Sequence, residues 1–234
     1  MVHDVPLLAG LHMASAYHLT VVVGADEELR VARLTGARGF SGADARARIA
    51  AQASDRQRWE VADAWLDNNG AVEGLLAQVD ALWHDRIVVF NENLMTGARS
   101  VRPDTPTLVA YDDSWPWQAA RLIERITVAL GDRAVAVEHI GSTSVPGLVA
   151  KDVIDLQVAV RRLADADAPE LVKALADKGF PRSEGNDEHT VHPWAPDQSS
   201  WRHRFHGRAD PGRRAHGPPR RPGAPGWESA LPCR

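Results

Sequence analysis

Three arginines, Arg48, Arg56 and Arg58, lie close together on a stretch whose residues favour helix. Permanent guanidinium cations in such a cluster can stabilise the charge of a transferring phosphoryl group, and they can equally form the solvated face of a helix. Downstream, the triplet Asn68-Asn69-Gly70 is a strong turn signal because these residues tolerate positive φ. A long and unusual run, Glu138-His139-Ile140-Gly141-Ser142-Thr143-Ser144-Val145-Pro146-Gly147-Leu148, is followed by Asp155 and Gln157 two residues apart on a predicted strand. His139 stands just before a turn, where a structural role and a phosphate contact are both open. His189 and His192 form an i, i+3 pair in a proline-rich stretch with no further ligand at zinc-site spacing, so they read as solvated loop residues. The phosphate-cradling pattern Gly-x-x-x-x-Gly-Lys-Ser/Thr is missing from these 234 residues, which contain no Gly-Lys dipeptide.

The elements that would position these residues follow from local pattern. Leu19 to Val23 is a β-branched run ending at Gly24-Ala25-Asp26, the signature of a buried parallel strand entering a loop. Asp26 is then a candidate N-cap, with Glu27 and Glu28 in the first turn of a helix that stops between Gly36 and Gly39. Ser41, with Asp44 three residues on, opens a second helix over Gly42 to Ser54, and a third covers Asp55 to Ala64. Trp65-Leu66-Asp67 reads as a short strand stopped by the Asn-Asn-Gly turn. From Ala71 to Asn91 the apolar residues Val72, Leu75, Leu76, Val79, Leu82, Trp83 and Ile87 recur at three- and four-residue spacing, predicting an amphipathic helix. The second half predicts a helix over Trp115 to Leu130, strands over Ala134 to Ile140 and Val153 to Val160, and a helix over Pro169 to Lys178 closed by Gly179.

Composition narrows the class. A chain of 234 residues with 44% hydrophobic and 25% charged residues can bury a core, and one or two domains are expected at roughly 150 residues each. A net charge of -4 gives no electrostatic footprint for nucleic acid, and no apolar run reaches the ~18 residues of a membrane-spanning helix. The one cysteine, Cys233, supports neither a disulfide framework nor a cysteine metal site. With no basic segment leading into an apolar core at the N-terminus, a cytoplasmic protein is expected. A polar, breaker-rich stretch over 95–106 predicts a linker, and 207–234, where 17 of 28 residues are Gly, Pro or Arg, predicts a disordered tail.

Residues Asp4-Val5-Pro6-Leu7-Leu8, Val21-Val22-Val23, Arg48-Ile49-Ala50-Ala51-Gln52-Ala53, Arg58, Ala62-Asp63 and Leu66-Asp67-Asn68-Asn69-Gly70, in this order and spacing, resemble the C-terminal half of dephospho-CoA kinase. The resemblance implies a partial P-loop α/β fold over 1–94, ATP and Mg²⁺ as cofactors, and dephospho-CoA as the substrate phosphorylated on its ribose 3′-hydroxyl. It places Arg58 as the lid arginine, Asn68, Asn69 and Gly70 as the turn beside the adenine, and Pro6, Leu7 and Leu8 near the acceptor's pantetheine. Read as bare residues, the turn is a plain turn and Pro6 to Leu8 ordinary packing. Ala9 stands where the family commonly has Glu, and the phosphate loop and catalytic Asp have no counterpart here, so the resemblance predicts a chain that begins in mid-domain and is inactive alone.

Tyr111, Trp115-Pro116, the run from Glu138 to Leu148, Ala150-Lys151 and Ile154-Asp155-Leu156 resemble the GrpB family, similar in fold to the nucleotidyltransferases. An α+β domain over 107–206 is implied, with His139, Gly141, Ser142 and Asp155 as its motif residues. In nucleotidyltransferases a Gly-Ser pair holds the triphosphate and two alternating strand carboxylates hold Mg²⁺. Here the second carboxylate position is Gln157, which predicts a ligand-binding or folding-assistance module rather than a two-metal enzyme. The pattern of this family fades after Gly207. The whole chain is expected to be α/β in class and truncated at both ends; its oligomeric state is left open.

Overall fold

The computed structural model of the chain describes residues 1–5, 8–10, 13–98 and 107–182, and the backbone of 202–207. The expected tail from 208 onward, His189 and His192, Pro6 and Leu7 lie outside the described residues.

The first half is built on two parallel strands, β1 (Val21–Gly24) and β2 (Ala64–Asp67), paired from Val21 with Ala64 to Gly24 with Asp67. Between them run α1 (Glu27–Arg38), α2 (Gly42–Ala50) and α3 (Asp55–Val61). The caps are local. Ser41 accepts from the Asp44 amide, and Ser54 and Gln57 form a reciprocal capping box that starts α3. Gly39, at φ 66°, ends α1 in the left-handed conformation. Val31, Ala45 and Ile49 make a small core between α1 and α2.

The helix expected over Ala71 to Asn91 is one continuous helical rod with a change of pitch. After α4 (Val72–Leu82) comes a π-helical stretch, Trp83–Val88, and then α5 (Val89–Thr96). Hydrogen bonds from i to i+5 bring residues five apart onto nearly the same side. Leu75, Leu82 and Ile87 join the small core under Ala64 and Leu66 of β2. The rod runs to Thr96, so the first residues of the predicted linker are helical.

The second half has a three-stranded antiparallel sheet in the order β4-β6-β7. Its strands are β4 (Ala136–Ile140), β6 (Ile154–Ala159) and β7 (Arg202–Gly207). A small antiparallel pair, β3 (Leu108–Val109) and β5 (Ala150–Lys151), precedes β6. Ile154, Leu156 and Val158 alternate along β6 onto one face, where Ile126 and Leu130 of α6 (Trp115–Leu130) and Leu171 and Leu175 of α7 (Pro169–Ala176) complete the main core. Tyr111 meets Trp115 edge-on at 5.2 Å, and the Trp115 indole donates to Asp152 at 2.8 Å, so Asp152 anchors α6 to the start of β6.

The halves share a buried seam. Asp63, at the entrance to β2, accepts from Arg121 at 3.3 Å and from Arg125, both on α6. Lys178 donates to the Ala16 carbonyl at 3.1 Å, His18 Nε2 donates to the Asp177 carbonyl at 2.6 Å, and Arg56 lies over the Trp117 ring.

Candidate functional site

Parallel strands direct their C-terminal ends toward the loops where ligands of open α/β sheets bind. Here those ends are Gly24 and Asp67, and the loops that leave them are tied together. Asn68 donates its amide to the Gly24 carbonyl at 2.8 Å. The Asn69 side chain accepts from the Asp26 amide at 2.7 Å and returns its own NH₂ to the Asp26 carboxylate at 3.4 Å. Asp26 therefore does not cap α1 with its side chain, as expected from sequence; the carboxylate is drawn across to Asn69 instead. Asp67 holds the turn from below through the Asn69 amide at 2.9 Å, and its own backbone is clamped by both ends of the Gln78 amide.

Arg33 of α1 donates to the Asn68 carbonyl at 3.0 Å and to its side-chain oxygen at 3.3 Å. Arg30, one turn earlier, donates to Gln52 at 2.6 Å. Arg58 of α3 pairs with Asp55 and lies 5.9 Å from the Trp65 ring. Burial, then the charge of Arg58, lowers the proton affinity of Arg30, against the pull of Asp55 and Glu27. The expected grouping of Arg48, Arg56 and Arg58 does not form. Arg48 sits on α2 over the Phe40 ring at 4.4 Å, and Arg56 faces away to Glu60 at 2.9 Å. The reason is the break between α2 and α3, which puts the three side chains on two helices of different direction.

Gly70 is exposed, a β-carbon there would meet open space, and it is not among the left-handed glycines, so Gly70 does not use the conformational freedom its sequence suggests. Gly24 is the glycine that matters here, because a β-carbon at that position would run into the Trp65 ring, itself stacked on Trp59 at 4.2 Å. Leu8 forms a turn with Val5 and Met13 through its backbone. Sequence reasoning gave no site role to Arg30 or Arg33, and none to Gln52 beyond its place in the family resemblance. Their i, i+3 spacing along α1 was the available signal for the two arginines.

In the second half, Gly141 adopts φ 77° directly after β4, and a β-carbon there would run into the Asp155 carboxylate, so this position disfavours a side chain. The adjacent Thr143 is fully buried, and its hydroxyl donates to the Val153 carbonyl at 3.0 Å. That leaves the oxygen to accept from His139 Nε2 at 3.0 Å, placing the neutral ring's proton on Nε2. Burial depresses the His139 pKa, against the nearby charge of Asp155. His139 thus has the structural contacts that its sequence position left open. Ser142 is exposed, and the Ser144 hydroxyl closes the turn on the Gly141 carbonyl at 2.6 Å. Asp155 and Gln157 lie on the sheet face opposite Leu156, in register with Ile140 and Glu138. Asp155 is the one carboxylate of this pair, and Gln157 supplies a neutral amide at the second position. Among the described residues no three His, Cys, Asp or Glu side chains come together as a metal site.

The fold and its two loci define a two-part α/β protein, the first part parallel-stranded with a cationic strand end and the second an antiparallel sheet backed by helices. The family model described as GrpB protein matches residues 105–234, and that for dephospho-CoA kinase matches residues 1–74. The chain belongs to the GrpB family through residues 105–234, and its residues 1–74 are similar to dephospho-CoA kinase. Among curated relatives, a dephospho-CoA kinase of Mycolicibacterium paratuberculosis is 44% identical over 244 residues, covering 99% of this chain and 59% of the relative. One from Mycobacterium tuberculosis H37Rv is 44% identical over 243 residues, covering 94% of this chain and 58% of the relative. The dephospho-CoA kinase of Frankia casuarinae matches at 44% over 84 residues, 36% of each chain. The chain thus spans under two thirds of the length of these two mycobacterial relatives. No helix among the described residues is long and apolar enough to cross a membrane.

Proposed function

We propose that the chain contributes the lid and base-facing end of an ATP-dependent dephospho-CoA kinase, a cytoplasmic activity that phosphorylates the ribose 3′-hydroxyl in coenzyme A biosynthesis. The observation that carries this reading is the knot of loops at the C-terminal ends of β1 and β2, where Arg33 holds Asn68 and Asn69 binds Asp26, with Arg58 near Trp65 of β2. Arg58 supplies charge to the transferring phosphoryl group, and the turn offers backbone groups to the adenine edge. Pro6, Leu7 and Leu8 are proposed for the acceptor side. ATP with Mg²⁺ would supply the phosphoryl group and neutralise part of its charge. The residues here fit the phosphates through their guanidiniums, and among the described residues no carboxylate set for the metal comes together. The phosphate cradle has to come from sequence other than these 234 residues, so the chain by itself is expected not to turn over.

The test joins this chain to the part of the Mycobacterium tuberculosis relative that it does not cover and follows ADP formation dependent on dephospho-CoA. Arg58→Ala should lower kcat by about 10²-fold, in line with the loss of one preorganised donor. Gln157→Ala should leave kcat unchanged. Equal rates for the Arg58→Ala and unmutated proteins would refute the lid assignment.

For the second half, a folding-support and binding role is favoured over nucleotidyl transfer. Two buried arginines of α6 neutralise the carboxylate that begins β2, whereas Gln157 replaces a needed metal ligand.

A further inference from the structure

Two arginines of α6 are buried against a single carboxylate. Arg121 donates through Nε to Asp63 Oδ1 at 3.3 Å and through Nη1 to the Glu60 carbonyl at 3.5 Å. Arg125 donates through Nη2 to the other oxygen, Oδ2, which the Thr20 amide also reaches at 2.8 Å. The side chains of Asp63, Arg125 and Arg121 are 3%, 6% and 10% exposed, so one positive charge is left over in a closed seam. Glu60 offers it only a backbone carbonyl, because its carboxylate is held by Arg56 at 2.9 Å. Burial accordingly lowers the proton affinity of Arg121, which Asp63 only partly restores, and the charges of Arg125 and Arg86 add to the loss.

Hydrogen bonding falls short at the same place. A guanidinium presents donors on every nitrogen, and among the described residues Arg125 uses one of them, Nη2. Its Nε is buried with no acceptor, and the Thr20 hydroxyl is buried with no partner. Both groups flank Asp63 Oδ2, since the same arginine and the same threonine bind that oxygen. An unanswered buried charge beside unmade donors is a combination that folded proteins resolve with a bound ion or ordered water. Water would also suit the side-chain oxygen of Gln118, buried and unpartnered one turn before Arg121, but it brings no charge.

We propose that the seam between the halves binds one small monovalent anion of the chloride class, which accepts from Arg125 Nε and the Thr20 hydroxyl and makes the cluster of Asp63, Arg121 and Arg125 neutral. The surplus of one charge calls for a monovalent ion, and donors on two side chains of a closed seam call for a small one. The site is separate from the strand-end loops: Thr20 and Asp63 directly precede β1 and β2, whereas Gly24 and Asp67 end them. Its donors come from both halves, Thr20 from the first and Arg125 from α6, so the ion binds only where α6 is docked. Binding to the docked form alone stabilises that form by mass action.

The experiment melts the whole 234-residue chain in sodium chloride and in sodium gluconate at equal ionic strength, so that general screening is common to both. The native chain should melt about 3 °C higher in chloride. Arg121→Gln leaves the seam neutral and should lose that difference. Asp63→Asn leaves two positive charges and should enlarge it about twofold, although the variant itself is less stable. A greater dependence on chloride does not come from a damaged fold. Arg162→Gln, in an exposed pair with Asp165, should keep the native difference. Crystals of the native chain soaked in sodium bromide locate the ion directly, and an anomalous peak within hydrogen-bonding distance of Arg125 Nε is expected. An ordered water alone at that place overturns the proposal. Equal melting of the native chain in the two salts, or an undiminished difference in Arg121→Gln, overturns it as well.

Discussion

Asp63 and Arg125 form a buried ion pair across the two halves of the chain, 62 residues apart in sequence, with 3% and 6% of their side chains exposed. The Thr20 amide donates to the same carboxylate at 2.8 Å, and Arg86 donates to the Asp63 carbonyl at 2.7 Å. One residue therefore joins β1, β2, the π-helical stretch and α6. A buried pair need not add net stability, yet removing one partner strands the other charge.

Asp63→Ala should accordingly destabilise the chain by about 3–5 kcal/mol, because Arg121 and Arg125 lose their counter-ion in a dry seam. Replacing both Asp63 and Arg125 with Ala should cost less than the sum of the single changes. Urea denaturation of the three variants checks this. Additive losses would mean that the pair does not couple the halves.

The same carboxylate governs the acid limb of stability. Burial would raise the Asp63 pKa, but the charges of Arg125 and Arg121, with hydrogen bonds from Arg125 and Thr20, hold it below the ordinary value. A depressed carboxylate stabilises the fold above its unfolded pKa of roughly 3.9, and that contribution disappears as pH falls through the folded value. His139 acts at higher pH. Burial keeps its ring neutral in the fold, so the unfolded chain takes up a proton first and stability falls as pH drops below roughly 6.5. Denaturation midpoints between pH 7.5 and 5 should decline in the native chain and flatten in His139→Gln. An unflattened decline assigns the slope to other groups.

Gly141→Ala and Thr143→Val should both damage the turn after β4, for different reasons. The first forces a side chain into a left-handed conformation and against the Asp155 carboxylate, with a cost of order 1–3 kcal/mol. The second removes a donor to Val153 and an acceptor for His139, also about 1–3 kcal/mol. Thermal melts measure both, and Ser142→Ala, at an exposed position, should stay within about 0.5 kcal/mol of the native chain.

At the other site the two glycines should part company. Gly70→Ala meets open space and should be nearly neutral, within about 0.5 kcal/mol. Gly24→Ala should displace Trp65, break its stack on Trp59 and cost about 1–3 kcal/mol. Near-ultraviolet circular dichroism reports the stack directly. A native spectrum in Gly24→Ala would mean that the ring does not lie over the glycine.

Much of this protein is legible in its sequence because the signals are short-range. Ser41 and Asp44 set the start of α2, and α6 runs from Trp115 to Leu130 as its apolar spacing requires. Gly179 takes the left-handed conformation just past α7, and alternation along β6 separates Ile154, Leu156 and Val158 from Asp155 and Gln157. Each depends on neighbours within one or two turns, where propensity and periodicity act. The order of Arg48, Gln52, Arg58, Asp63 and Asn68 likewise sufficed to identify the family relationship. Which arginine meets which partner did not follow, since Arg30 and Arg58 stand on different helices and Asp26 reaches Asn69 across two loops. The extension of the helical rod beyond Asn91 and its π-helical stretch did not follow from the three- and four-residue spacing, which is satisfied equally by an unbroken α-helix. Asp63 looks from sequence like one more polar residue at a strand entrance. Only the folding of α6 against it supplies the two arginines that make its burial possible, because electrostatic pairing in a low-dielectric seam is decided by distance in space and leaves no periodic mark along the chain.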